Sequence, residues 1–293
     1  MVSDDTEHTV FVAQCLAEEA SDAAAFQRRL AWKLRGWILC LPAGVGLATL
    51  RAILKLWLGF PAGRSGVFSA GNGPAMRSAV LGVWFANDAE RLREFVRAST
   101  RLTHTDPRAE AAALAVALTA AWGARHPEGE ETSAIWDLWR DAGPEDAEWL
   151  AILRKLRSAD EAGHSVAELA RALGLGRGVS GYAYHSVPVA LYAWLRHDGD
   201  FRACLEAVLR CGGDTDTVAA IAGGLAALRS PIPTEWIETL RDFPISTAYL
   251  RRLAETLEAR EPLPWFVWPI LPLRNLGFLI IVLAHGFRRL IPF

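Results

Sequence analysis

The sequence predicts an all-α protein, a compact single-domain bundle of many helices. Ala, Leu and Arg, which are strong helix formers, recur along the whole chain. Apolar residues repeat at the i, i+3, i+4 spacing of helices that pack on one another. No run of alternating β-branched residues with hairpin turns is present, which argues against a sheet. A chain of 293 residues that is 52% hydrophobic hides about 75% of its unfolded surface on folding, so a disordered or disulfide-stapled protein is excluded.

The clearest helices are predicted over residues 10–20, 109–122 and 218–228. A further helix is predicted over 166–173, because Ser165 and Glu168 have the spacing of a capping box. Gly174 follows at the position where a left-handed residue terminates a helix. These signals place the remaining polar segments in loops between helices.

The charge balance and the cysteines limit the possible functions. The chain has 31 Lys and Arg against 33 Asp and Glu, and without a basic block we expect no nucleic-acid groove. The four cysteines have neither disulfide-framework nor zinc-finger spacing, which predicts a reducing, cytoplasmic location. The start carries acids where a secretory signal has basic residues. No apolar stretch approaches the roughly 20 residues that span a bilayer, so neither export nor a transmembrane helix is expected.

Two segments depart from the helical pattern. Residues 61–74 are rich in glycine and predict a loop long enough to have a function. Residues 262–293 combine prolines and aromatic and aliphatic side chains with Arg274, Arg288 and Arg289. We favour a strap that packs over an apolar groove of the domain or contacts a partner subunit. The alternative is a peripheral membrane anchor, because a basic and aromatic amphipathic segment can lie in the membrane interface.

Two short acidic clusters each precede a predicted helix. One contains Asp4 and Asp5, the other Asp214 and Asp216, and both have neighbouring hydroxyls. Each cluster alone would be explained by helix capping, since carboxylates satisfy free N–H groups and offset the helix dipole. If the clusters meet, however, their repulsion requires cations. Oxygen ligands of this kind suit Mg²⁺, Mn²⁺ or Ca²⁺, and a shared carboxylate would bridge two ions.

Four motifs then carry a resemblance to a known family. In chain order they are SDDTEHT at 3–9, GNGPAMR at 71–77, LTHTD at 102–106 and GDTDT at 213–217. Together they resemble the ADP-ribosylglycohydrolase family, which includes dinitrogenase reductase-activating glycohydrolase and the ADP-ribosyl-acceptor hydrolases. GDTDT is the most specific motif. The resemblance ends near residue 240, which predicts a family domain over 1–240 and a C-terminal helix and apolar tail over 241–293.

The resemblance implies a metal-dependent hydrolase with two Mg²⁺ or Mn²⁺ ions in a cleft of an all-α bundle. The implied substrate is an ADP-ribosylated protein or an ADP-ribose-containing small molecule, cleaved at the glycosidic bond of the distal ribose. Vicinal ribose hydroxyls can complete an open metal shell and orient the anomeric carbon for attack by water. Asp5 and Asp216 are the implied catalytic residues, with Asp216 bridging the ions. The implied metal ligands are Ser3, Asp4, Asp5, Asp214, Asp216 and Thr217.

By the same resemblance, the glycine-rich loop binds the diphosphate. Glycine allows close backbone approach, so N–H groups ahead of a helix near Ala75 could face a pyrophosphate. An ordinary tight turn is the alternative. His104 matches a family histidine that contacts phosphates or ribose, and its alternative is a buried or helix-capping imidazole. The implied substrate-binding residues of the loop are Ser69, Gly71, Asn72 and Gly73.

Several neighbouring residues have two interpretations. Asp106, also a candidate substrate-binding residue, could instead cap a helix that starts at Pro107, because proline is favoured at the first helical position. Glu7 and His8 could support the metal ligands or lie on a solvated helix face. Among Tyr182, Tyr184 and His185 an aromatic ring could stack on adenine, but core packing is favoured.

The sequence also departs from the family pattern. Members normally begin with a further helix that bears a Gly-Asp-Ala-like element, followed by a loop with an acidic residue near the scissile bond, whereas this sequence begins at the metal motif. Either the start is misassigned or the protein is a degenerate or redirected member of the family. The alternatives to an enzyme are therefore a non-catalytic ADP-ribose-binding module and a structural relative. Ser3 replaces the usual threonine and keeps its hydroxyl.

Overall fold

The computed structural model describes residues 2–42, 44–126, 132–264 and 266–290. These residues form an all-α protein, which confirms the predicted fold class, and their only β pairings are isolated bridges. Short 3₁₀ helices lie at Ala62–Arg64, Ala75–Arg77 and Trp268–Ile270. The α-helices are α1 (Asp4–Glu19), α2 (Ala23–Leu39), α3 (Leu47–Trp57), α4 (Ala79–Trp84), α5 (Ala89–Arg101), α6 (Pro107–Arg125), α7 (Ile135–Ala142), α8 (Ala147–Glu161), α9 (Val166–Ala172), α10 (Ala183–Arg196), α11 (Phe201–Leu209), α12 (Thr215–Ala226), α13 (Thr234–Thr239), α14 (Thr247–Ala259) and α15 (Leu271–Leu290).

Helix α6 forms the centre of the core. It is rich in alanine and buried on nearly all sides, so neighbouring helices approach it closely. At Gly82 in α4, a Cβ atom would lie 2.1 Å from the carbonyl oxygen of Ala117 in α6, so only glycine fits. Helix α10 is the second largely buried helix and packs against α6 and α12. The two acidic clusters therefore begin helices that are fixed on a rigid core.

The local signals for helix ends are confirmed, but the first helix starts earlier than predicted. Ser165 and Glu168 form a reciprocal capping box at α9, and Gly174 follows with φ at +83°. Helix α1 begins at Asp4 rather than at residue 10. Its first turn is polar, so it contributes nothing to the apolar periodicity that marks the rest of the helix. Asp4 and Asp5 thus lie within the first helical turn.

The segment beyond residue 240 shares contacts with the start of the chain. Val10 of α1 packs with Tyr249 and Leu253 of α14 in a small apolar cluster. The Gln14 amide donates a 2.6 Å hydrogen bond to the Tyr249 hydroxyl. Helix α14 therefore covers one side of α1, behind the acidic first turn.

The tail is partly packed and partly exposed. Leu271 and Asn275 at the start of α15 are each 2% exposed, and the Asn275 amide donates to the carbonyl of Cys40 at 2.7 Å. From Leu276 onward most of the described side chains are exposed. Only the first turns of α15 therefore pack on the domain as the predicted strap would. Among the described residues, no helix is both long and apolar enough to cross a membrane. All four cysteines are free.

Candidate functional site

The N-termini of α1 and α12 lie together. Asp4 of α1 and Asp216 of α12 line one cavity of about 350 Å³, within the size range of small-molecule sites. The Thr217 hydroxyl lies near both Asp5 and Asp214 and can donate its single proton to one of them at a time. The two acidic clusters, separated by about two thirds of the chain, therefore form one group of carboxylates and hydroxyls.

Helix capping does not account for these residues. Ser3 and Asp214 occupy the N-cap positions of α1 and α12, yet neither side chain accepts a capping hydrogen bond. The Ser3 hydroxyl instead donates to Asp5 Oδ2 at 2.6 Å. Asp214 Oδ2 accepts from the Asn72 amide at 2.7 Å. The two N-cap side chains thus bond to other side chains of the site rather than to backbone N–H groups at the helix starts.

Burial and mutual repulsion disfavour the charged forms of these carboxylates. Burial, with the neighbouring Asp5 charge, raises the pKa of Asp4 to about 7. Burial also raises the pKa of Asp5, against hydrogen bonds from Ser3 and Thr217. The pKa of Asp214 is raised by burial and by its contact with Asp216. Asp5 Oδ1 is buried and has no hydrogen-bond partner among the described residues, so the cluster is short of positive charge.

The donor set fits a hard divalent cation in its chemistry. Among the described residues no group of three or more His, Cys, Asp or Glu side chains could hold a metal ion unaided. A site here would therefore also use the hydroxyls of Ser3 and Thr217, together with water or substrate oxygens. Such mixed oxygen shells are typical of Mg²⁺, which keeps several exchangeable ligands. The orphaned oxygen of Asp5 and the raised pKa of Asp4 point to the same missing charge.

The turn before α12 is shaped by glycine. Gly212 and Gly213 have φ angles of +68° and +82°, which are accessible mainly to glycine. A Cβ atom on Gly213 would lie 2.0 Å from the carbonyl oxygen of Val179. That carbonyl accepts from the Asp214 N–H at 2.7 Å, while the Val179 N–H donates to Gly212 at 3.0 Å. The close approach of the Gly212–Gly213 backbone to Val179 fixes the position of Asp214, the N-cap residue of α12.

The glycine-rich loop contacts the acidic cluster. Besides the amide contact to Asp214, Asn72 donates its main-chain N–H to the Gly181 carbonyl at 2.9 Å. That N–H is therefore already paired within the protein, and the Asn72 side chain positions Asp214. A 3₁₀ helix rather than an α-helix follows at Ala75. For Ser69, Gly71, Asn72 and Gly73 a role in binding the diphosphate stays a prediction.

His104 lies buried beneath this loop. A Cβ atom on Gly71 would lie 3.0 Å from His104 Nε2. Because Gly71 has no side chain, the loop backbone can pack directly against the imidazole. The Nδ1 atom lies 2.9 Å from the Thr103 hydroxyl. Burial and the Arg77 charge lower the pKa of His104 to about 3, and the ring is neutral. The buried alternative is confirmed, whereas a contact with substrate stays a prediction.

Asp106 caps α6. Its Oδ1 accepts from the Arg108 N–H at 3.0 Å, and its carboxylate forms a two-pronged ion pair with the Arg108 guanidinium. These hydrogen bonds hold the pKa of Asp106 below its usual value. With Pro107 as the first helical residue, the capping interpretation is confirmed. A contact between Asp106 and substrate stays a prediction.

Arg77 links the site motifs inside the protein, and the sequence analysis gave it no role. It is fully buried, lies 3.1 Å from His8 Nδ1 and donates to the Thr103 hydroxyl at 2.9 Å. Burial lowers the pKa of His8 well below its usual value. Glu7 is also buried and accepts from the Trp37 indole at 2.6 Å. The solvated-face alternative for Glu7 and His8 is wrong. Arg77 is the last residue of the GNGPAMR motif at 71–77, and this place in a motif was the indication of a role that the sequence offered.

Arg274 of α15 is a second residue that sequence reasoning missed. Its guanidinium contacts Glu7 and Asp242, the latter at 2.7 Å, and also donates to the Val2 carbonyl at 2.9 Å. Arg274 lines the same cavity as Asp4 and Asp216. Because it lies outside the four motifs, no local pattern could have indicated this contact. The tail thus reaches the edge of the acidic cluster.

The aromatic residues at the start of α10 differ in their burial. Tyr184 is 1% exposed and donates to Asp146 at 2.8 Å, which confirms core packing for this ring. Tyr182 is half-buried beside Gly71, and its hydroxyl donates to Glu148 at 2.9 Å. His185 contacts the Ser180 hydroxyl. Adenine stacking on Tyr182 stays a prediction.

Two other cavities have larger volumes. One, of about 450 Å³, lies where Trp84 and Arg91 face Arg260. The other, of about 830 Å³, is lined by Arg97, Glu110 and other residues of α5 and α6. Neither contains the acidic helix N-termini, and we place the site by its donor chemistry rather than by volume.

In this all-α bundle, two helix N-termini place carboxylates and hydroxyls around one cavity. The protein is therefore a helical protein with a cleft lined by oxygen donors. Comparison with known families identifies the class. The chain belongs to the ADP-ribosylglycohydrolase family, whose family model matches residues 1–264. This range extends past residue 240, where the motif resemblance ends.

Individual relatives agree with this assignment. An uncharacterized protein of Archaeoglobus fulgidus is 30% identical over 243 residues, covering 82% of this chain and 75% of its own length. ADP-ribosylhydrolase ARH3 of Homo sapiens is 27% identical over 208 residues, covering 61% of this chain. The match covers 56% of the human protein, so this chain spans about half of that relative. A solved structure described as an ADP-ribosylglycohydrolase-related protein complex aligns with a TM-score of 0.61 at 26% identity, covering 94% of this chain and 82% of its own.

Proposed function

We propose that this protein is a metal-dependent hydrolase that removes ADP-ribose from an ADP-ribosylated acceptor by cleaving the glycosidic bond at the distal ribose. The observation that carries the proposal is the meeting of two acidic helix N-termini whose N-cap side chains, Ser3 and Asp214, make no capping bonds. Family membership supports the reaction class. The donor chemistry supports two Mg²⁺ or Mn²⁺ ions as cofactors.

The residues that would hold the ions are Ser3, Asp4, Asp5, Asp214, Asp216 and Thr217. When bound, the ions would supply positive charge that orients the ribose hydroxyls and activates water. Asp5 is 1% exposed and accepts from Ser3, which favours a ligand role over direct contact with substrate. Asp216 is exposed and lines the cavity, which makes it the better candidate to meet substrate or an attacking water.

Other residues hold this arrangement in place. The Asn72 amide fixes the orientation of the Asp214 carboxylate. Glu7 and His8, one helical turn behind the acidic residues, are held by Trp37 and Arg77. Buried partners of this kind restrict ligand rotation and tune metal affinity. Their part in the reaction is therefore to keep the carboxylates fixed while substrate binds.

The proposal is tested with the purified full chain and two ADP-ribosylated peptides, one linked through arginine and one through serine. We expect ADP-ribose release with Mg²⁺ or Mn²⁺, loss of release in excess chelator, and restoration when the metal is returned. Asp216→Asn should abolish release, while Asp137→Asn, at an exposed position, should leave it unchanged. Full release in chelator would refute metal dependence, and tight ADP-ribose binding without release from either peptide would favour the non-catalytic alternative.

A further inference from the structure

The outer face of α15 is apolar and exposed. Ile280, Ile281, Leu283 and Phe287 are between 51% and 66% exposed. A 20-residue helix is about 30 Å long, and only its first turns are packed, through Leu271 and the residues that follow it. Exposure of these apolar side chains to water is unfavourable, and an exposed apolar patch of this kind often marks an interaction surface.

A second exposed apolar group adjoins the start of α15. On α2 and α3, Trp32, Leu47, Trp57 and Leu58 are between 50% and 78% exposed. The two groups meet where Asn275 of α15 hydrogen-bonds to the Cys40 carbonyl. Leu39 and Leu41, on either side of Cys40, are 63% and 58% exposed. Exposed apolar side chains therefore lie on either side of the contact between α15 and the end of α2.

The charges of these two segments have one sign. The sequence has no Asp or Glu from residue 23 to residue 87, and none after Glu261. Arg51, Arg64 and Arg288 are exposed within the same segments. The whole chain has a slight acidic excess, with 33 Asp and Glu against 31 Lys and Arg. Acids adjoin this surface at the start of α2, where Glu19 lines a cavity with Trp32 and Arg29, and the exposed arginines of the α3 and α15 segments have no acid within their own segments.

We propose that this surface, formed by α15 with α2 and α3, is a docking site for an anionic lipid bilayer. Apolar side chains flanked by arginines match the interface between acyl chains and negatively charged headgroups. A second copy of the chain fits less well, because a two-fold interface places one patch against itself. Two α15 segments brought together in this way would both be basic, because neither contains an Asp or Glu. The α15 helix would lie in the interface rather than cross the bilayer.

The test is sedimentation of the full chain with vesicles of phosphatidylcholine alone, or of phosphatidylcholine and phosphatidylglycerol at about three to one. We expect binding to the anionic vesicles only, and binding that weakens as salt rises and shortens the screening length. Arg288→Gln should weaken binding about fivefold, the value for one basic residue near a charged surface. Equal binding to neutral vesicles, or none to either, would overturn the proposal.

Paired variants locate the surface. The double variant Ile280→Asp, Ile281→Asp should lose at least about tenfold in binding, because two charges enter the apolar face. Leu209→Asp, at a position 54% exposed on α11, is the matched control and should bind as the wild type does. Unchanged folding is checked by circular dichroism. Equal binding by the double variant and the control would refute the placement. Light scattering that showed a lipid-independent dimer, disrupted by the double variant without vesicle binding, would assign the surface to a second copy.

Discussion

The helix N-termini of this protein divide into two kinds. At α2, α5, α8 and α11, Asp22, Asp88, Asp146 and Asp200 each accept a hydrogen bond from a backbone N–H two or three residues further along. At α12, Asp214 makes no such bond and instead accepts from the Asn72 amide, which is 142 residues away in the chain. The same residue type therefore stabilises one helix start and forms a site at another. The difference lies in where the carboxylate oxygens are directed.

The energetic consequence is also opposite. A capping carboxylate is stabilised by free N–H groups and by the helix dipole. At the site, burial raises the pKa of Asp4, Asp5 and Asp214, so that the ionised forms are unfavourable until a cation is near. The comparison leads to three predictions, in order of decreasing effect.

The largest effect is expected on metal affinity. Asp214→Ala should weaken Mn²⁺ binding by more than about 100-fold, beyond the range for residues that only support a ligand, and Asp216→Ala should do the same. Asp200→Ala and Asp106→Ala remove ordinary caps and should leave the affinity unchanged. Isothermal titration calorimetry measures all four variants. Equal affinities across them would mean that the two kinds of helix start are not distinct.

A smaller loss is expected when the support of the site is removed. Asn72→Ala deletes the amide that holds Asp214 and should weaken Mn²⁺ binding by about 10-fold to 100-fold. Asn87→Ala, at an exposed position, is the matched control. If the two variants titrate alike, Asn72 has no positioning role.

The smallest effects are on the metal-free protein, and they should have opposite signs. Asp200→Ala should lower the free energy of unfolding by about 1 kcal/mol through loss of a cap. Asp4→Asn should raise it at pH 8, because the folded state then carries a buried charge that the unfolded state solvates. This gain should shrink as pH falls through about 7, where folded Asp4 takes up a proton. Urea titrations in chelator at pH 5 and pH 8 measure both changes, and a loss of stability in Asp4→Asn at pH 8 would contradict the argument.

Local chemistry made much of the fold predictable. The capping box at Ser165 and Glu168 and the proline start of α6 depend on residues within one helical turn. The all-α class followed from apolar periodicity. Motif resemblance then identified the acidic residues that lie together at α1 and α12, although it could not show which oxygens face which partner.

Contacts between distant parts of the chain were not predictable. Asn72 and Asp214 are 142 residues apart, and Arg274 lies 267 residues from Glu7. Such pairs are set by how the helices pack, which no short pattern encodes. The burial of Arg77 was missed for the same reason, since an arginine in a sequence normally indicates an exposed surface.

The contact of Arg274 has a practical consequence for anyone who shortens the protein to improve its behaviour in solution. Truncation before α15 would remove its exposed apolar side chains. It would also remove the Arg274 guanidinium, which forms ion pairs with Glu7 and Asp242. Two carboxylates would then be left without their cation beside the entrance to the cleft. A shortened version should therefore end after the first turns of α15.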